Sequence, residues 1–506
     1  MKRMYSLIAA SLSHPPMRGS PPRRLDMSSD TASTSQPQFP FTSTVHLRMA
    51  QGRLTTLPAE TVGCILQHLG SSDLLSLRFA CRALADKTSG PFQDRFFRTR
   101  HVMLERQSLQ NLVQISRHSV LRYAVQVVEL TTDHLVAPPD YMSRADYEMC
   151  GINDEYDCIR LSDGEALSLG DDSYEAVIER YRAEWGSYRD FLLTKGDWIR
   201  DLVEALSNLP HCKAIGIDDG VRPWGSLRLG RRIGTFPTRF VTSFQALSMV
   251  FATTLIRTLF MGLLSGRHTV ERLYIQFGDL KTGCTSVTPR MLSTIPVSAD
   301  IMRNRLAAIK TLLLVVNPNS HENTFDENVK KLVSNTDPIQ TANSDWCPEF
   351  CGFLHLFPAL TNFTLHFNPR DERQQFPKLS EDLRIPGLQS LCIEFVDCTR
   401  DELMTLLEGH RDTLRELVLE SVDVTGGGRK TWSSLLGSLQ HGLRLDAIDL
   451  GDCMVDGFYL CSRSSATFLN QRFCASGPEE IEAMRLALDG LEDLEAFPWL
   501  RRSHDE

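Results

Sequence analysis

The 506-residue sequence has no long apolar run, no dense set of cysteines and no excess of basic residues. No segment approaches the roughly 18 consecutive apolar residues of a membrane-spanning helix, which argues against a protein embedded in a membrane. The thirteen cysteines are scattered along the chain, which favours a reducing compartment over secretion with a disulfide framework. The net charge of -9 and the isoelectric point near 5.9 argue against general nucleic-acid binding, which needs a basic surface. We expect the protein in the cytoplasm, in the nucleus or in both.

Motifs of enzyme active sites are also missing from the sequence. It contains no G-x-S-x-G, H-E-x-x-H or dinucleotide-binding fingerprint. Its scattered His, Ser, Cys and acidic residues form no recognisable pair of nucleophile and base. We therefore predict no catalytic residue and no cofactor.

One cysteine-rich motif has part of the spacing of a metal site. Cys347, Cys351 and His355 share one helical face, but a structural zinc site normally has four ligands and no second pair accompanies these. We favour buried thiols and a surface histidine over zinc, and predict no metal site.

The run TGGGRKT at residues 425–431 resembles a phosphate-binding loop. That motif needs glycine and lysine side by side, whereas Arg429 separates Gly428 from Lys430. We interpret the run as a flexible turn.

Residues 1–50 are rich in Pro, Ser and Thr, a composition that cannot bury enough apolar surface to fold. The start, MKRMYSLIAASLSHPP, weakly imitates a signal peptide, and a mitochondrial transit peptide is a second weak alternative. A disordered leader is favoured over both, and Met49 is an alternative start of the functional chain.

The segment at residues 54–84 carries the most specific pattern of the chain. Pro58 suits the first position of a helix, because its φ angle is already helical and its missing N–H would have no partner there. Apolar residues then recur on one helical face: Val62, Ile65, Leu66 and Leu69. Gly70 is expected to cap this helix at its end.

A second helical pattern follows directly. Ser71, Ser72 and Asp73 have side chains that can cap a new helix. Apolar residues again repeat at helical spacing: Leu74, Leu77, Cys81 and Leu84. A break near Arg78 is expected, so the segment predicts two or three short helices packed together.

This helical segment resembles an F-box. The matching residues are Leu57, Pro58, Glu60, Ile65, Leu66, Leu69, Asp73, Leu74, Leu77, Cys81 and Leu84. Thr61 and Gly63 depart from the family pattern, and Gly63 lowers helix propensity by roughly 1 kcal/mol relative to alanine. The alternative is an ordinary helical hairpin whose leucines face their own core.

A short frame, apolar-x-x-apolar-x-apolar, recurs through the rest of the chain, and its last two residues alternate as in a buried strand. It occurs at Val125, Val128 and Leu130; Cys212, Ile215 and Ile217; Val270, Leu273 and Ile275; Ile309, Leu312 and Leu314; Leu360, Phe363 and Leu365; Leu388, Leu391 and Ile393; Leu414, Leu417 and Leu419; and Leu445, Ile448 and Leu450. The last four frames recur about every 26 to 31 residues, close to the period of a leucine-rich repeat. The C-terminal half therefore resembles a leucine-rich-repeat solenoid.

Together these patterns predict an α/β chain: a short helical F-box module followed by an irregular leucine-rich-repeat solenoid of parallel strands with outer helices. The expected parts are a leader (1–50), the F-box-like module (51–90), the repeat array (91–475), and a C-terminal capping helix and tail (476–506). An acidic insertion near residues 136–172 is interpreted as a solvated loop, with docking of a basic partner as the alternative. The capping helix has apolar residues on one face: Ile481, Met484, Leu488 and Leu491.

The combination looks like the F-box family of substrate receptors. The resemblance implies that the helical module docks on a Skp-type adaptor, which joins cullin and RING subunits of an SCF-type ubiquitin ligase, while the array holds an unknown protein substrate. The expected adaptor contacts are Leu57, Pro58, Ile65, Leu66, Leu69, Leu74 and Leu77, some of which instead hold the module together. The alternative is a non-catalytic leucine-rich-repeat scaffold acting outside ubiquitin transfer. No sequence feature identifies the substrate.

Overall fold

The computed structural model describes residues 54–135, 174–193, 197–234, 236–237, 246–268, 270–276, 287–288, 291–292, 298–316, 347–371, 376–426, 430–459 and 472–492. The predicted leader and the predicted acidic insertion lie outside these ranges. The chain divides between Phe96 and Phe97 into two compact units. We call them unit 1, which contains the F-box-like segment, and unit 2, which contains the repeats.

Unit 1 is helical. Its helices are α1 (Ala59–Leu66), α2 (Ser71–Ala80), α3 (Arg82–Lys87) and α4 (Ser89–Phe97), of which only the last residue, Phe97, is counted with unit 2. Pro58 precedes α1 as its N-cap residue instead of starting it. The cap expected at Gly70 is wrong: Gly70 has extended backbone and precedes α2, while Gln67 ends α1. Because Gly70 has a negative φ of -66°, no left-handed glycine is needed at this turn.

The break between α2 and α3 lies at Cys81, so Arg78, near which the break was expected, is inside α2. Arg78 is only 7% exposed, and its guanidinium lies 4.0 Å from the ring centre of Phe92. Its Nη1 atom donates to the backbone oxygen of Ala85 at 2.7 Å and to Oγ1 of Thr88 at 2.9 Å. Through these contacts, the Arg78 side chain links α2 to α3 and α4.

Unit 2 is built on a 13-stranded sheet. Its strands are β1 (Thr99–Met103), β2 (Val127–Thr131), β3 (Ala214–Ile217), β4 (Arg272–Ile275), β5 (Thr311–Val316), β6 (Asn362–Asp371), β7 (Ser390–Thr399), β8 (Glu416–Glu420), β9 (Asp423–Thr425), β10 (Ala447–Gly451), β11 (Met454–Val455), β12 (Phe458–Tyr459) and β13 (Arg472–Ser476). Strands β1 to β8 and then β10 lie side by side in chain order, and each neighbouring pair is parallel. This order fits a leucine-rich-repeat-like array.

The eight apolar frames are confirmed as strands β2 to β8 and β10, including the four irregular frames before residue 360. Their apolar residues are at most 1% exposed, apart from the half-buried Leu445. Residues at equivalent frame positions are paired across the sheet, for example Leu312 with Phe363 and Leu391 with Leu417. One continuous core therefore runs along unit 2, as expected where no single repeat covers its own apolar face.

Helices connect most strands of unit 2. They are α5 (Arg106–Arg117), α6 (Leu121–Ala124), α7 (Tyr174–Leu193), α8 (Asp197–Ser207), α9 (Trp224–Ile233), α10 (Ala246–Ser265), α11 (Ala299–Arg305), α12 (Cys347–Leu354), α13 (Phe376–Asp382), α14 (Arg400–Glu408), α15 (Thr431–Gly442) and α16 (Pro478–Glu492). At the start of α14, Thr399 and Glu402 form a complete capping box. Among the described helices, none is both long and apolar enough to cross a membrane.

The last three parallel repeats share a backbone turn. Phe395, Ser421 and Asp452 have φ angles of 60°, 52° and 45°, and each follows the same register position of its strand. The left-handed conformation costs a residue with a side chain about 1–2 kcal/mol. It redirects the chain into a second set of short pairings, in which β9 lies beside the end of β7 and beside β11.

The array ends in a reversed strand and a helix. β13 pairs antiparallel with β10, and α16 packs against β13 and α15. The apolar face predicted for this helix is buried at Ile481, Met484 and Leu488, while the side chain of Leu491 lies outside the described part. The predicted helix is thus present, but β13 was not predicted.

Candidate functional site

The seven residues predicted to contact an adaptor lie in unit 1 and differ in burial. Leu66 and Leu74 are 2% and 1% exposed, so they fill the core of the unit. The half-buried members are Leu57, Ile65, Leu69 and Leu77, and Pro58 is exposed. Five of the seven side chains therefore leave surface at which another protein can bind.

Phe79 is a surface residue that the sequence analysis missed. Its side chain on α2 is 56% exposed, and Leu75, one turn earlier on the same helix, is half-buried. Phe79 does not belong to the predicted apolar face of Leu74, Leu77, Cys81 and Leu84, so helical periodicity gave no signal for it. Phe79 is a further candidate contact residue of unit 1.

Two basic residues fix the backbone that carries the predicted contacts. Arg95 donates from Nη1 to the backbone oxygen of Leu69 at 2.6 Å and from Nη2 to that of Leu66 at 3.3 Å. Lys87 Nζ donates to the backbone oxygens of Thr55, at 2.7 Å, and Leu57. The end of α1 and the approach to Pro58 are therefore tied to α4 and α3.

In unit 2, alternate strand residues point away from the core and form what we call the open sheet face. Its middle row consists of His101, Glu129, Gly216, Tyr274, Leu313, Thr364, Cys392, Val418 and Asp449. Its upper row consists of Val315, His366, Glu394, Glu420 and Gly451, and its lower row of Thr311, Asn362, Ser390, Glu416 and Ala447. Side chains from many repeats thus lie next to one another on one surface.

At the N-terminal end of the open sheet face, a tyrosine crosses a neighbouring strand. Tyr274 lies over Gly216, where any side chain would overlap its ring, and its hydroxyl donates to Oε1 of Glu129 at 2.6 Å. His101 Nδ1 lies 2.5 Å from Oε2 of the same carboxylate. Burial alone would raise the pKa of Glu129, but the hydrogen bonds from His101 and Tyr274 bring it below its usual value. The glycine is required for this close approach.

Carboxylates accumulate at the other end of the open sheet face. His366 Nδ1 lies 2.6 Å from Oε2 of Glu394, and these contacts hold the Glu394 pKa below its usual value despite burial. Arg472 of β13 binds both oxygens of Asp449 through Nε at 2.8 Å. These two carboxylates therefore already have positive or protonatable partners.

Glu420 lies between these pairs and extends over Gly451, where a side chain would overlap its carboxylate. Burial raises its pKa, and the nearby Asp452, Glu394 and Asp449 raise it further, against the attraction of Arg472. The surroundings of Glu420 therefore favour an additional positive charge.

A buried ion pair fastens the second repeat to α9. The side chains of Asp133 and Arg222 are 0% and 6% exposed, and Arg222 Nη1 donates to Asp133 Oδ1 at 2.8 Å. Ser226 Oγ donates to the same oxygen at 2.8 Å, and Arg222 also donates to the backbone oxygen of Pro237 at 3.0 Å. This cluster is structural, since its charged groups are shielded from solvent.

We expect His134 to make the protein less stable at acidic pH. Burial lowers its pKa from 6.5 to about 4, although the Thr132 carbonyl oxygen and Asp133 favour the charged form. Between these values the unfolded chain binds the proton first, so stability falls as pH falls from 6.5 towards 4. The loss attributable to this residue at pH 5 is about 2 kcal/mol relative to pH 8.

Urea unfolding of wild type and His134→Gln at pH 8 and pH 5 measures this effect. The variant should lose less stability than wild type over this interval, whatever its stability at pH 8. Equal losses in the two proteins would contradict the assignment.

The cysteine motif forms a buried thiol pair. Cys347 and Cys351 are buried with their sulfur atoms 4.0 Å apart, whereas His355 is exposed and its Nε2 lies 3.2 Å from the backbone oxygen of Arg384. The hydrogen bond with Cys351 and burial raise the pKa of Cys347. Within the described ranges, no group of three or more His, Cys, Asp and Glu residues is arranged to hold a metal ion.

The glycine run at residues 425–431 lies partly outside the described part. Thr425 ends β9, Gly426 has a φ of 76°, and α15 begins at Thr431. Lys430 Nζ lies 3.3 Å from Oδ1 of Asp489. The described end of the run is therefore engaged with α16.

Comparison with known proteins places the chain in no family. No family model matches the sequence, and no curated protein matches it. Among the solved structures that match is the leucine-rich repeat-containing protein LegL7 from Legionella pneumophila, which is 13% identical, with a TM-score of 0.22. The match covers 58% of this chain and 86% of that protein. The repeat architecture described above rests on strand order and register alone.

Proposed function

We propose that this chain is a non-catalytic protein receptor whose repeat array holds a protein and whose unit 1 docks on a Skp-type adaptor. The observation that carries the first part is the open sheet face, where residues from nine parallel strands are aligned on one surface. Repeat arrays use such extended surfaces to bind other proteins. The adaptor would join the chain to the cullin and RING subunits of an SCF-type ubiquitin ligase.

Support for the adaptor comes from the sequence pattern and from the packing of unit 1. Leu57, Ile65, Leu69 and Leu77 keep part of their apolar surface outside the core of the unit. Burying such surface against a partner contributes roughly 25 cal/mol per Å². A small helical unit with half-buried leucines therefore gains stability when another protein covers them.

The chain itself needs no acid, base or cofactor in this scheme. A receptor accelerates ubiquitin transfer by holding the target close to the charged conjugate, which raises its effective concentration. The residues that matter are then those that bind and orient the two proteins.

The adaptor assignment is tested with the double variant Leu57→Ala, Pro58→Ala. We expect its affinity for a purified Skp-type adaptor to fall at least ten-fold, because an apolar contact and a fixed turn are both lost. Biolayer interferometry measures the affinity, with Asp86→Ala on the exposed side of α3 as the matched control. If the double variant binds the adaptor with wild-type affinity, Leu57 and Pro58 are not part of the interface.

The second candidate is an interaction scaffold that acts outside ubiquitin transfer. It is favoured by Leu66 and Leu74, which face the core of unit 1 as the leucines of an ordinary helical hairpin would. Such a protein binds a target through its array without recruiting a cullin.

A further inference from the structure

The middle row of the open sheet face has apolar or aromatic residues on β4, β5 and β8, and two carboxylates flank this row at β8. Tyr274, Leu313 and Val418 are half-buried residues of the middle row. On β8, Glu416 and Glu420 flank Val418 two residues away on the same face. A partner that crosses the strands from β4 to β8 thus contacts Tyr274 and Leu313 first and then the carboxylates on β8.

The carboxylates at β8 differ from the others on this face. Glu394 is held by His366, and Asp449 is held by Arg472. Neither Glu416 nor Glu420 forms a salt bridge with another residue of the described ranges. These two groups are therefore available to a positively charged partner.

We propose that the open sheet face between β5 and β8 binds an extended segment of a partner protein, with an apolar side chain at Leu313 and a lysine or arginine at Glu416 and Glu420. This deepens the proposed function, on which it rests, by giving the chemical class of the protein that the array holds. Charge complementarity at β8 selects the basic segment, and Leu313 on β5 gives it an apolar contact.

The sheet sets the spacing of the two features in the partner. Leu313 and Val418 lie in the same row and are three strands apart, or about 14 Å at a strand separation of ~4.8 Å. An extended chain covers this distance in about four residues. The recognised segment therefore has its basic residue about four positions from its apolar residue, and an acidic residue at the basic position is excluded by repulsion.

Fluorescence anisotropy with the full-length protein tests this inference. The probe is a fluorescein-labelled peptide, Gly-Leu-Ser-Thr-Ser-Lys-Arg-Ser-Gly, and the matched control peptide has Glu-Glu in place of Lys-Arg. We expect saturable binding of the basic peptide alone, which weakens as salt is raised. Glu416→Gln with Glu420→Gln should weaken it on the order of five-fold.

The control variant Glu408→Gln with Asp412→Asn changes the net charge equally at exposed positions outside the sheet and should bind the peptide like wild type. Equal binding of the acidic peptide, no saturable binding, or an unaffected Glu416→Gln, Glu420→Gln variant overturns the inference. Adaptor affinity is measured on the same proteins. Peptide binding without adaptor binding supports the inference and contradicts the adaptor part of the proposed function. Adaptor binding without peptide binding contradicts the inference alone.

Discussion

Replacing Arg222 with alanine is expected to lower the free energy of unfolding by about 3–5 kcal/mol. The substitution leaves the carboxylate of Asp133, whose side chain is fully buried, without the guanidinium that binds it at 2.8 Å. It also leaves the backbone oxygen of Pro237 without this donor. Urea unfolding followed by circular dichroism measures the loss.

Two controls separate the buried charge from a general effect of losing an arginine. Arg200→Ala removes an exposed arginine that pairs with Asp197 and should unfold at the wild-type urea concentration. The double variant Asp133→Asn, Arg222→Met removes both charges and should recover more than half of the loss. A double variant no more stable than Arg222→Ala would show that the unpaired charge is not the cause.

Replacing Arg78 with alanine is expected to destabilise unit 1 by about 3 kcal/mol. The change removes the contact with Phe92 and the hydrogen bonds to Ala85 and Thr88 in a buried site. Hydrogen exchange should accelerate at the amides of α1 to α4, whereas the amides of β5 to β8 should keep their protection. Arg82→Ala, at an exposed position of α3, is the matched control.

Exchange that rises equally in both units would contradict this view of Arg78. Arg78→Lys should lie between alanine and wild type, because an ammonium keeps the charge but lacks the planar group that contacts the ring and two acceptors together.

The strands could be predicted from sequence because each contains two buried apolar residues at alternate positions, and a third apolar residue precedes them in the chain. This local pattern survives even where repeats differ in length, so the irregular frames at Cys212 and Val270 proved as reliable as the regular ones after Leu360. The strand β13 could not be predicted in this way, since its burial is limited to Ala475 among mostly exposed residues. Its position is determined by pairing with β10.

Polar features of the two units could not be predicted for a different reason. Arg78, Asp133 and Arg222 would ordinarily be assigned to the surface, and their burial depends on partners that only the fold brings together. Asp133 and Arg222 are 89 positions apart in the chain. The requirement for glycine at Gly216 likewise follows from Tyr274 on the adjacent strand, which no local pattern contains.

For the predicted contact surface of unit 1, too, the sequence indicated the residues, but only the fold determined which of them are buried. Helical periodicity identified the apolar residues, but periodicity does not tell a residue of the core from one at the surface. The packing of four short helices assigns Leu66 to the core and leaves Leu69 half-buried, and it exposes Phe79. Contact with a partner is therefore best tested at the residues that packing leaves accessible.

The most direct test of the receptor proposal is co-purification of the full-length wild-type chain with a Skp-type adaptor and a cullin. We predict that both proteins are recovered with wild type and that the Leu57→Ala, Pro58→Ala variant recovers neither. Recovery of the adaptor without the cullin would instead favour the scaffold. Wild-type protein that binds neither would contradict the proposal.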